Sequence, residues 1–473
     1  MHSYNPVTPA IIEQLAAIVG PQNLIYAEPE RMLDYAHDES FGRDHDRMPD
    51  VVIKPASADE IAAIMKLANR ERIPVTPRGA GSGLSGGAVP VFSGILLTVE
   101  RMNHILEIDL ENLVVVVEPG VVINELSEAV RAHGLFYAGY PMSVELCQIG
   151  GNVAENAGGG RAVKYGVTGR YVLGLEVVLP TGEIVQFGGK RLKDVTGYDL
   201  VHLMVGSEGT LGIFTKIILR LIPFPAAQAV LLAPFADAYT AIYAVPRIIQ
   251  GGGLVPSAVE FMDHAAMKLS YDFLGERLPH PAAKAILLVE VDGYTEAEVE
   301  AEQDAVASLL MECGALDIYV GNTPPTARKL WRPRQKIGEA FSSLAIEQLD
   351  EDMVVPLAQI PPLLPKLEEM AAKHHMKPFC FGHVADGNMH LHTMAEPGVS
   401  HEAWRAACVA FLTELYTLVV SLGGTISGEH GIGSKRAPYL SIALEPAVIE
   451  LHRRIKAAFD PNNILNPGKI FLG

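Results

Sequence analysis

The residues of this chain best suited to chemistry are three histidines in the short stretch GHVADGNMHLH: His383, His390 and His392. Within it, Asp386-Gly387 favours a two-residue hairpin turn with positive φ, which would place His383 directly opposite His390. Directly opposed side chains in a hairpin have Cβ atoms roughly 4.5–5.5 Å apart. The two imidazoles could therefore bind one divalent metal ion.

A later segment, SGEHG, supplies a carboxylate and a further imidazole. Glu429 would complete a set of two histidines and one carboxylate, with coordination positions left open for a substrate. His430 would then be a base beside the metal. The alternative is that these are ordinary histidines beside a common turn. The neighbouring glycines favour a ligand, since glycine lets a ligand approach the backbone closely.

A glycine-rich loop, PRGAGSGLSGG, follows a predicted strand at Ile73–Val75. Gly81, Gly83 and Gly86 fit the formal pattern G-x-G-x-x-G. A Rossmann site needs a helix directly after this pattern, because the helix N-terminus holds the pyrophosphate. The segment around Pro90 has no helical period, so we reject NAD binding here. Successive backbone N–H groups could still cradle a diphosphate; the alternative is a surface loop without a ligand.

Length and composition limit the class of protein. With 473 residues, 49% of them hydrophobic, the chain should form two or three domains. A net charge of −18 disfavours nucleic acid and anionic lipid as partners. The four cysteines form no C-x-x-C pair, which argues against a disulfide scaffold, a zinc ribbon or an iron–sulfur cluster. They are Cys147, Cys313, Cys380 and Cys408.

The sequence predicts no signal peptide and no transmembrane segment, because it contains neither a basic start followed by an apolar run nor a long uncharged apolar stretch. We expect a cytoplasmic protein and leave peripheral attachment to a membrane open. Strands and helices mix up to about residue 222. After it, helical periods at 297–313 and 361–375 alternate with strand-like pieces at 285–291 and 315–320, which predicts a sheet covered by helices.

Seven motifs in a fixed order carry a family resemblance. They are PRGAGSGLSGG, EPGV, IGGNVAENAGGGRAVKYGVTGRYV, TGYDLVHLMVGSEGTLGI, GHVADGNMH, SGEHGIGSKR and FDPNNILNPGKIF. Together they resemble the flavoproteins of the vanillyl-alcohol-oxidase (p-cresol-methylhydroxylase) type. Within that superfamily the chain is most similar to the D-2-hydroxyacid dehydrogenases, the group of D-lactate dehydrogenase and the large flavin subunit of glycolate oxidase.

The resemblance implies an α+β fold with a two-part FAD-binding domain at 1–222, whose core begins near residue 46. It implies an α+β cap or substrate domain at 223–430 and a segment at 431–473 that returns to the first domain. The FAD contacts that it implies are Arg78, Gly79, Ala80, Gly81, Ser82, Gly83, Pro141, Ser143, Gly150, Gly151, Asn152, Gly158, Tyr165, Gly166, Ile213 and Asn466. Where covalent branches of the family attach the flavin to His or Cys, this chain has Ser82, so we expect dissociable FAD. Cys147 is a weaker candidate for attachment.

The resemblance also assigns the chemistry: His383, His390 and Glu429 as ligands of a Zn, Mn or Fe ion, and His430 as the catalytic base in contact with substrate. Arg334 matches the arginine that binds the substrate carboxylate, although Arg332 or Arg328 could do so on residue type alone. His392 shares a strand face with His390 and could also touch substrate.

For the substrate, the family's 2-hydroxyglutarate branch has a lysine where this chain reads Asp350-Glu351-Asp352. These carboxylates would repel a second substrate carboxylate, so we expect D-lactate or glycolate. The alternatives are D-2-hydroxyglutarate as substrate, an oxidase that uses dioxygen directly, and an accessory flavin subunit. The acceptor should be an electron-transferring flavoprotein, an iron–sulfur subunit or a quinone.

Overall fold

The computed structural model describes residues 4–40, 46–252, 254–344 and 346–471. The chain divides into two compact units. Unit 1 comprises Met1–Gly158, Val167–Phe224 and Glu429–Gly473, and unit 2 comprises Gly159–Gly166 and Pro225–Gly428. The domain bounds expected from the sequence, 1–222, 223–430 and 431–473, stay a prediction beside these units.

The helices and strands follow in chain order. Up to residue 223 they are α1 Pro9–Val19, β1 Leu24–Ile25, α2 Pro29–Met32, β2 Val51–Ile53, α3 Ala58–Glu71, β3 Val75–Arg78, β4 Ile95–Thr98, β5 Ile105–Asp109, β6 Val114–Val117, α4 Ile123–Arg131, β7 Leu135–Phe136, α5 Ile149–Glu155, α6 Ala162–Tyr165, β8 Val172–Val178, β9 Ile184–Gly188, α7 Leu200–Met204, β10 Ile213–Arg220 and β11 Ile222–Pro223.

The elements after residue 223 include the longest helices. They are β12 Ala227–Phe235, α8 Ala238–Gly252, β13 Ala258–Asp263, α9 His264–Leu274, β14 Ala285–Gly293, α10 Glu296–Glu312, β15 Tyr319–Gly321, α11 Pro324–Gln335, α12 Ile337–Ser342, β16 Gln348–Val354, α13 Ile360–Lys373, β17 Met376–His383, β18 Asn388–Ala395, α14 His401–Ser421, α15 Leu440–Ala443 and α16 Pro446–Phe459.

Helix α3 shows how the sequence determines an element of unit 1. The Ser57 hydroxyl accepts a hydrogen bond from the Glu60 N–H at 3.2 Å and so caps the helix N-terminus. Its apolar residues recur at helical spacing, and Ile61, Ile64 and Met65 are fully buried. They pack in one cluster with α1 and with strands β2 to β4, which fixes the sheet that carries the glycine-rich loop.

Two sheets form most of unit 1. The first has the order β1-β2-β4-β3, and β2 and β3 both run parallel to β4. The second has the order β5-β6-β10-β8-β9 with antiparallel pairing throughout. The glycine-rich loop therefore leaves β3 and reaches the parallel strand β4, and residues 79–94, all of them described, form turns and bends but no helix.

The end of the chain lies in unit 1. The Val75 N–H donates to the Ile464 carbonyl at 2.8 Å, and the Asn466 N–H donates to the Val75 carbonyl at 2.7 Å. Buried Lys456 on α16 donates to the carbonyls of Thr210 and Leu465, both at 2.8 Å. These bonds fix the tail beside β3. We predicted one helix after residue 434, and the structure adds the short α15 to it.

Unit 2 is built on a seven-stranded antiparallel sheet with the order β15-β12-β14-β13-β17-β18-β16. Helices α10 and α13 contact strands β12 and β17, so the sheet carries helices as expected. The helical runs that we predicted at 297–313 and 361–375 correspond to α10 and α13 within two residues. The α+β fold class is thereby confirmed.

One described helix, α14, is long and apolar enough by composition to cross a membrane. A third of its most apolar stretch, 33%, is buried in the structure, and the helix contains Glu402, Arg405 and Glu414. Core helices of globular proteins meet the same criteria, so this is weak support for a span. Our expectation of no transmembrane segment stays a prediction.

Candidate active site

Strands β17 and β18 form the hairpin that the sequence predicts, but the turn length and the register that we predicted are wrong. Phe381, not His383, is the partner of His390, and the strands end at His383 and resume at Asn388. The turn therefore has four residues instead of two. His383 pairs across the other side of its strand with Glu260 on β13.

Competing strand partners explain the longer turn. The N–H of Val384 donates to the Val259 carbonyl of β13, which draws the end of β17 away from β18. On the other side, Asn388 pairs with Val354 of β16, and its side-chain amide donates to Asp352 at 2.5 Å. Local turn preference could not reveal these long-range contacts.

The two imidazoles still lie side by side in this register. The ring centroids of His383 and His390 are 5.2 Å apart and the rings are nearly perpendicular, at 88°. Both side chains are buried, with exposures of 3% and 8%. A diagonal pair thus takes the place of the directly opposed pair that we predicted, and it suits the binding of one ion between two imidazole nitrogens.

Glu260 orients one imidazole of this pair. Its Oε1 accepts from Nδ1 of His383 at 2.5 Å, and its Oε2 accepts from Nε of Arg334 at 2.7 Å. Burial opposes ionisation of this carboxyl, but His383 and Arg334 outweigh that effect and hold its pKa below the usual value. The ionised carboxylate fixes the proton on Nδ1, so Nε2 of His383 has the lone pair that a metal needs.

A glycine makes room for this group. A Cβ on Gly160 would lie 2.5 Å from Oε1 of Glu260 and 3.4 Å from Nδ1 of His383. Both distances concern residues of unit 2, since Gly159–Gly166 belongs to it. The residue is one of the three consecutive glycines in IGGNVAENAGGG, and its small size is required by the Glu260–His383 pair.

Asp352 anchors the segment that leads to Glu429. It lies opposite His390, with its Oδ1 3.8 Å from Nδ1 of that ring. Its Oδ2 accepts from the Ser427 hydroxyl at 3.0 Å and from the Gly428 N–H at 2.7 Å. Glu429 follows Gly428 directly, and its Cα is therefore about 3.8 Å from that of the glycine.

His392, which we predicted to touch substrate, packs against side chains of unit 2. Its ring stacks on Phe341 with centroids 3.7 Å apart, and its Nε2 is 2.6 Å from Oε1 of Gln348. The side chain is 2% exposed. These aromatic and amide neighbours lie against the ring, and the substrate role stays a prediction.

The acidic run at 350–352 divides between the two faces of β16. Asp350 and Asp352 lie opposite His392 and His390, so they share the face of the histidines. Glu351 points to the other face, where its Oε2 accepts from the Tyr416 hydroxyl at 2.5 Å. Of the three carboxylates that we expected to repel a second substrate carboxylate, only two therefore face the histidines.

Among the three candidate arginines, only Arg334 is buried, with 6% of its surface exposed. Its guanidinium lies over the Phe381 ring, 5.0 Å from the centroid. Arg332 is exposed and pairs with Glu276 at 2.9 Å, and Arg328 is exposed. Since Glu260 takes only its Nε, the two terminal nitrogens of Arg334 are the part of the fork that could bind a carboxylate.

In unit 1 the glycine-rich loop has the geometry of a ligand cradle. A Cβ added to Gly83 or to Gly151 would meet no described atom within 4 Å apart from adjacent backbone, which means open space beside the backbone. The same construction at Gly79 would lie 3.7 Å from the Gly151 N, so the loop and the start of α5 are adjacent. Two glycine-lined backbones facing open space fit an extended diphosphate ligand such as that of FAD.

The guanidinium of Arg78 lies directly beside the backbone of this loop at Gly81. Its guanidinium donates to the carbonyls of His37 at 2.6 Å and Asp34 at 3.0 Å. A Cβ on Gly81 would lie 2.0 Å from its Nη2, and Gly81 has a φ of +75°. We predicted Arg78 among the diphosphate contacts, but its guanidinium is bonded to the protein backbone.

The other residues predicted to bind FAD fall into two groups. Some are engaged with protein: the Tyr165 hydroxyl donates to Asp292 at 2.8 Å within unit 2, the Asn466 amide donates to Glu208 O at 2.8 Å, and Ile213 packs in the core. The others lie in turns, loops or α5 of unit 1, except Gly166 in unit 2. They are Ala80, Ser82, Pro141, Ser143, Gly150, Asn152 and Gly158.

Sequence reasoning missed Glu260. It lies in the strand sequence AVEFMD, outside every motif, and no local spacing marks it as chemical. The only available signal was its unusual place: an acidic residue within an apolar strand, which is rarely buried unless it is paired. Its partner became evident only from the pairing of β13 with β17.

Two family descriptions match this chain: "FAD linked oxidases, C-terminal domain" over residues 224–470 and "FAD binding domain" over residues 49–188. The chain is 40% identical to the glycolate oxidase subunit GlcD of Bacillus subtilis (strain 168), a match that covers 98% of this chain and 97% of that protein. It is 38% identical to a D-lactate dehydrogenase of Anaerostipes hadrus, over 99% of this chain and 98% of the relative.

Solved structures share the fold. p-Cresol methylhydroxylase with bound substrate superposes with a TM-score of 0.78 at 19% identity, over 97% of this chain and 96% of that one. The architecture is therefore the two-domain FAD-binding fold of p-cresol methylhydroxylase. The chain belongs to the FAD-linked oxidases, and the resemblance drawn from its motifs is confirmed.

Proposed function

We propose that this protein is an FAD-dependent dehydrogenase that oxidises a small (R)-2-hydroxy acid, D-lactate or glycolate, to the 2-oxo acid with the help of a divalent metal. The observation that carries the proposal is the pair of bonds at Glu260, which orients His383 and Arg334 together. Relatives named for glycolate and D-lactate oxidation support the substrate class.

The donor set fits a divalent metal. His383 and His390 would hold it through imidazole nitrogens, and Glu429 would add a carboxylate oxygen, a combination that suits Zn, Mn or Fe(II). Glu260 is the carboxylate behind His383, as is usual for a ligating histidine. When bound, such an ion supplies a Lewis acid that lowers the pKa of a coordinated hydroxyl, and FAD supplies the acceptor for two electrons.

Residues of the chain bind the substrate and accept its hydroxyl proton. Arg334 binds the substrate carboxylate through its terminal nitrogens and fixes the orientation of the α-carbon. His430 accepts the hydroxyl proton as general base. Asp350, on the same face as His390 and His392, disfavours a second carboxylate, which supports a small monocarboxylate as substrate.

Electrons must then leave the protein. The sequence holds no iron–sulfur motif, so we propose an electron-transferring flavoprotein, an iron–sulfur subunit or a quinone as acceptor. We place the protein in the cytoplasm, with peripheral attachment to a membrane as the alternative. Hydrogen peroxide formed in stoichiometric amounts during turnover in air would instead identify an oxidase.

The test is turnover of the purified, FAD-loaded protein with an artificial electron acceptor. The candidates are D-lactate, L-lactate, glycolate and D-2-hydroxyglutarate, each offered before and after chelation of metal. We expect D-lactate or glycolate to be used, with loss of activity on chelation and recovery with Zn²⁺ or Mn²⁺. Preference for D-2-hydroxyglutarate, or unchanged turnover after complete metal removal, would refute the corresponding part of the proposal.

A further inference from the structure

The loop that carries His430 is held by a carboxylate from a distant part of unit 1. Both oxygens of Glu208 accept backbone N–H groups of the residues that follow the histidine: Ile432 at 2.8 Å and Gly433 at 2.6 Å. Hydrogen bonds to an ionised carboxylate are roughly twice as strong as neutral ones. The contact joins the segment GSEGT to the segment SGEHGIG.

Glu208 is itself held rigidly. Its φ of +51° lies in the left-handed region, which is uncommon for a residue with a side chain. Its N–H donates to the Ala154 carbonyl at 2.7 Å, and its carbonyl accepts from the side chain of Asn466 at 2.8 Å. A left-handed backbone at a residue of this kind persists only where the surroundings determine the conformation.

Two further charged side chains, those of Arg436 and Glu155, lie against the same loop. Arg436 is fully buried and donates to the Gly431 carbonyl at 3.1 Å. A Cβ built on Gly431 would lie 2.1 Å from Oε2 of Glu155, and Gly431 has a φ of +85°. The residue directly after His430 must therefore be a glycine, since Glu155 occupies the place of a side chain.

Opposing effects act on the pKa of Glu208. Burial raises the pKa of both Glu155 and Glu208, and their mutual repulsion adds to the effect at Glu155, whose pKa rises further. The N–H groups of Ile432 and Gly433 oppose the shift at Glu208. Their donation to its two oxygens favours the ionised form of Glu208.

We propose that Glu208 is a positioning residue that holds the His430 loop in the geometry required for proton abstraction. This rests on the proposed function of His430 as base. Glu208 acts through the loop and does not touch the substrate. Its location in the GSEGT segment, beside residues expected to bind FAD, ties the position of the base to the flavin-binding part of unit 1.

The test uses two variants of Glu208 and a matched control. Glu208→Gln replaces one acceptor oxygen by an amide, and Glu208→Asp keeps the charge but withdraws the carboxylate by one methylene group. Glu176→Gln is the control, because Glu176 is a buried carboxylate of β8 that bonds Thr215 and Lys216. Far-UV circular dichroism and flavin content verify that each variant is folded and loaded.

Hydrogen exchange of residues 429–436 reads the loop directly, without any activity. We expect exchange there to accelerate roughly 10–100-fold in both Glu208 variants, since each loses a bond to an ionised group, and to stay unchanged in the control. Unchanged exchange in both Glu208 variants would overturn the proposal. This exchange measurement tests whether Glu208 holds the loop even if the protein does not oxidise hydroxy acids.

A double-mutant cycle then separates positioning from general stabilisation. Glu208→Gln should lower kcat roughly tenfold or more with little change in KM. In a His430→Ala background the same change should cost nothing further, because the base that it positions is absent. An equal loss in both backgrounds would overturn the positioning role. Inactivity of the wild type with every hydroxy acid would instead refute the proposed function.

Discussion

Glu260 Oε1 lies 2.5 Å from Nδ1 of His383 although 123 residues separate the two in the chain. The pair joins β13 to β17, and the second oxygen of the same carboxylate binds Arg334. One buried acid thus orients a candidate metal ligand and the candidate substrate arginine. Removal of this carboxylate should disturb metal and substrate binding together.

Glu260→Gln should weaken metal binding about 10–100-fold, as loss of a carboxylate behind a ligating histidine does. It should also raise KM for the hydroxy acid, since Arg334 loses its orienting partner. Calorimetric titration of metal-stripped protein with Zn²⁺ measures the first effect. The control is Glu414→Gln, whose carboxylate lies 3.0 Å from Nε2 of His374 elsewhere in unit 2. Equal affinity of both variants for the metal would refute the role of Glu260.

Replacement of His430 by alanine should lower kcat roughly 10²–10⁴-fold, which is the usual contribution of a general base. FAD content should remain that of the wild type, as measured from the flavin absorbance of the purified protein. His452→Ala is the matched control, because His452 is an exposed histidine of α16. Normal turnover of the flavin-loaded His430 variant would exclude the proposed base.

Gly151→Leu should weaken FAD binding without destabilising the protein that lacks FAD. Among the described residues, no atom outside its own helix and chain neighbours lies within 4 Å of its added Cβ, so the new side chain enters the space proposed for the ligand. Gly338→Leu on α12 is the control, since it is also a helical glycine with nothing near its Cβ. Fluorescence titration with FAD compares the two variants. Equal FAD affinity in both would place the cofactor elsewhere.

FAD should be released on acid precipitation of the protein. The glycine-rich loop has Ser82 where a covalent attachment would require His or Cys. Cys147, the other candidate, is 3% exposed, and burial raises the pKa of its thiol, which disfavours the thiolate. The yellow colour should remain in the supernatant after precipitation. Flavin retained in the pellet would contradict this expectation.

The contribution of Asp263 to the stability of unit 2 should fall as pH rises from about 4 to about 7. Burial raises its pKa to about 6, although the N–H groups of Ala266 and Cys380 oppose the shift. An acid whose pKa is raised by folding favours the folded state below its unfolded pKa, and that contribution is lost as pH passes the folded pKa. The loss should reach at most about 3 kcal/mol.

Tryptophan fluorescence isolates this effect, because both tryptophans, Trp331 and Trp404, belong to unit 2. The measurement is urea unfolding of the wild type and of Asp263→Asn across this pH range. The difference between their free energies of unfolding should fall with rising pH. A constant difference would show that Asp263 has an ordinary pKa.

Local sequence determines much of this structure. The helical periods at 297–313 and 361–375 and the strand at Val51–Ile53 were predictable, because an amphipathic repeat or an apolar β-branched run needs no distant partner to be recognised. The rejection of a Rossmann helix after the glycine-rich loop followed likewise from Pro90 and the missing helical period.

The rest depends on contacts between distant segments. The register that we predicted for the His383–His390 hairpin was wrong, because β13 and β16 pair with the ends of its strands. Glu260 and Glu208 lacked a local signal, since each is paired with residues far away in the sequence. Sequence patterns therefore identified the candidate reacting side chains but not the buried carboxylates that we propose orient them.

The most direct test of the account is anaerobic mixing of the FAD-loaded, metal-replete protein with D-lactate or glycolate while the oxidised flavin band is recorded. The account predicts bleaching of that band by one of these substrates, its loss after chelation of the metal, and its return when Zn²⁺ or Mn²⁺ is restored. A flavin that stays oxidised with D-lactate, glycolate and D-2-hydroxyglutarate alike would contradict the assignment to (R)-2-hydroxy acid oxidation.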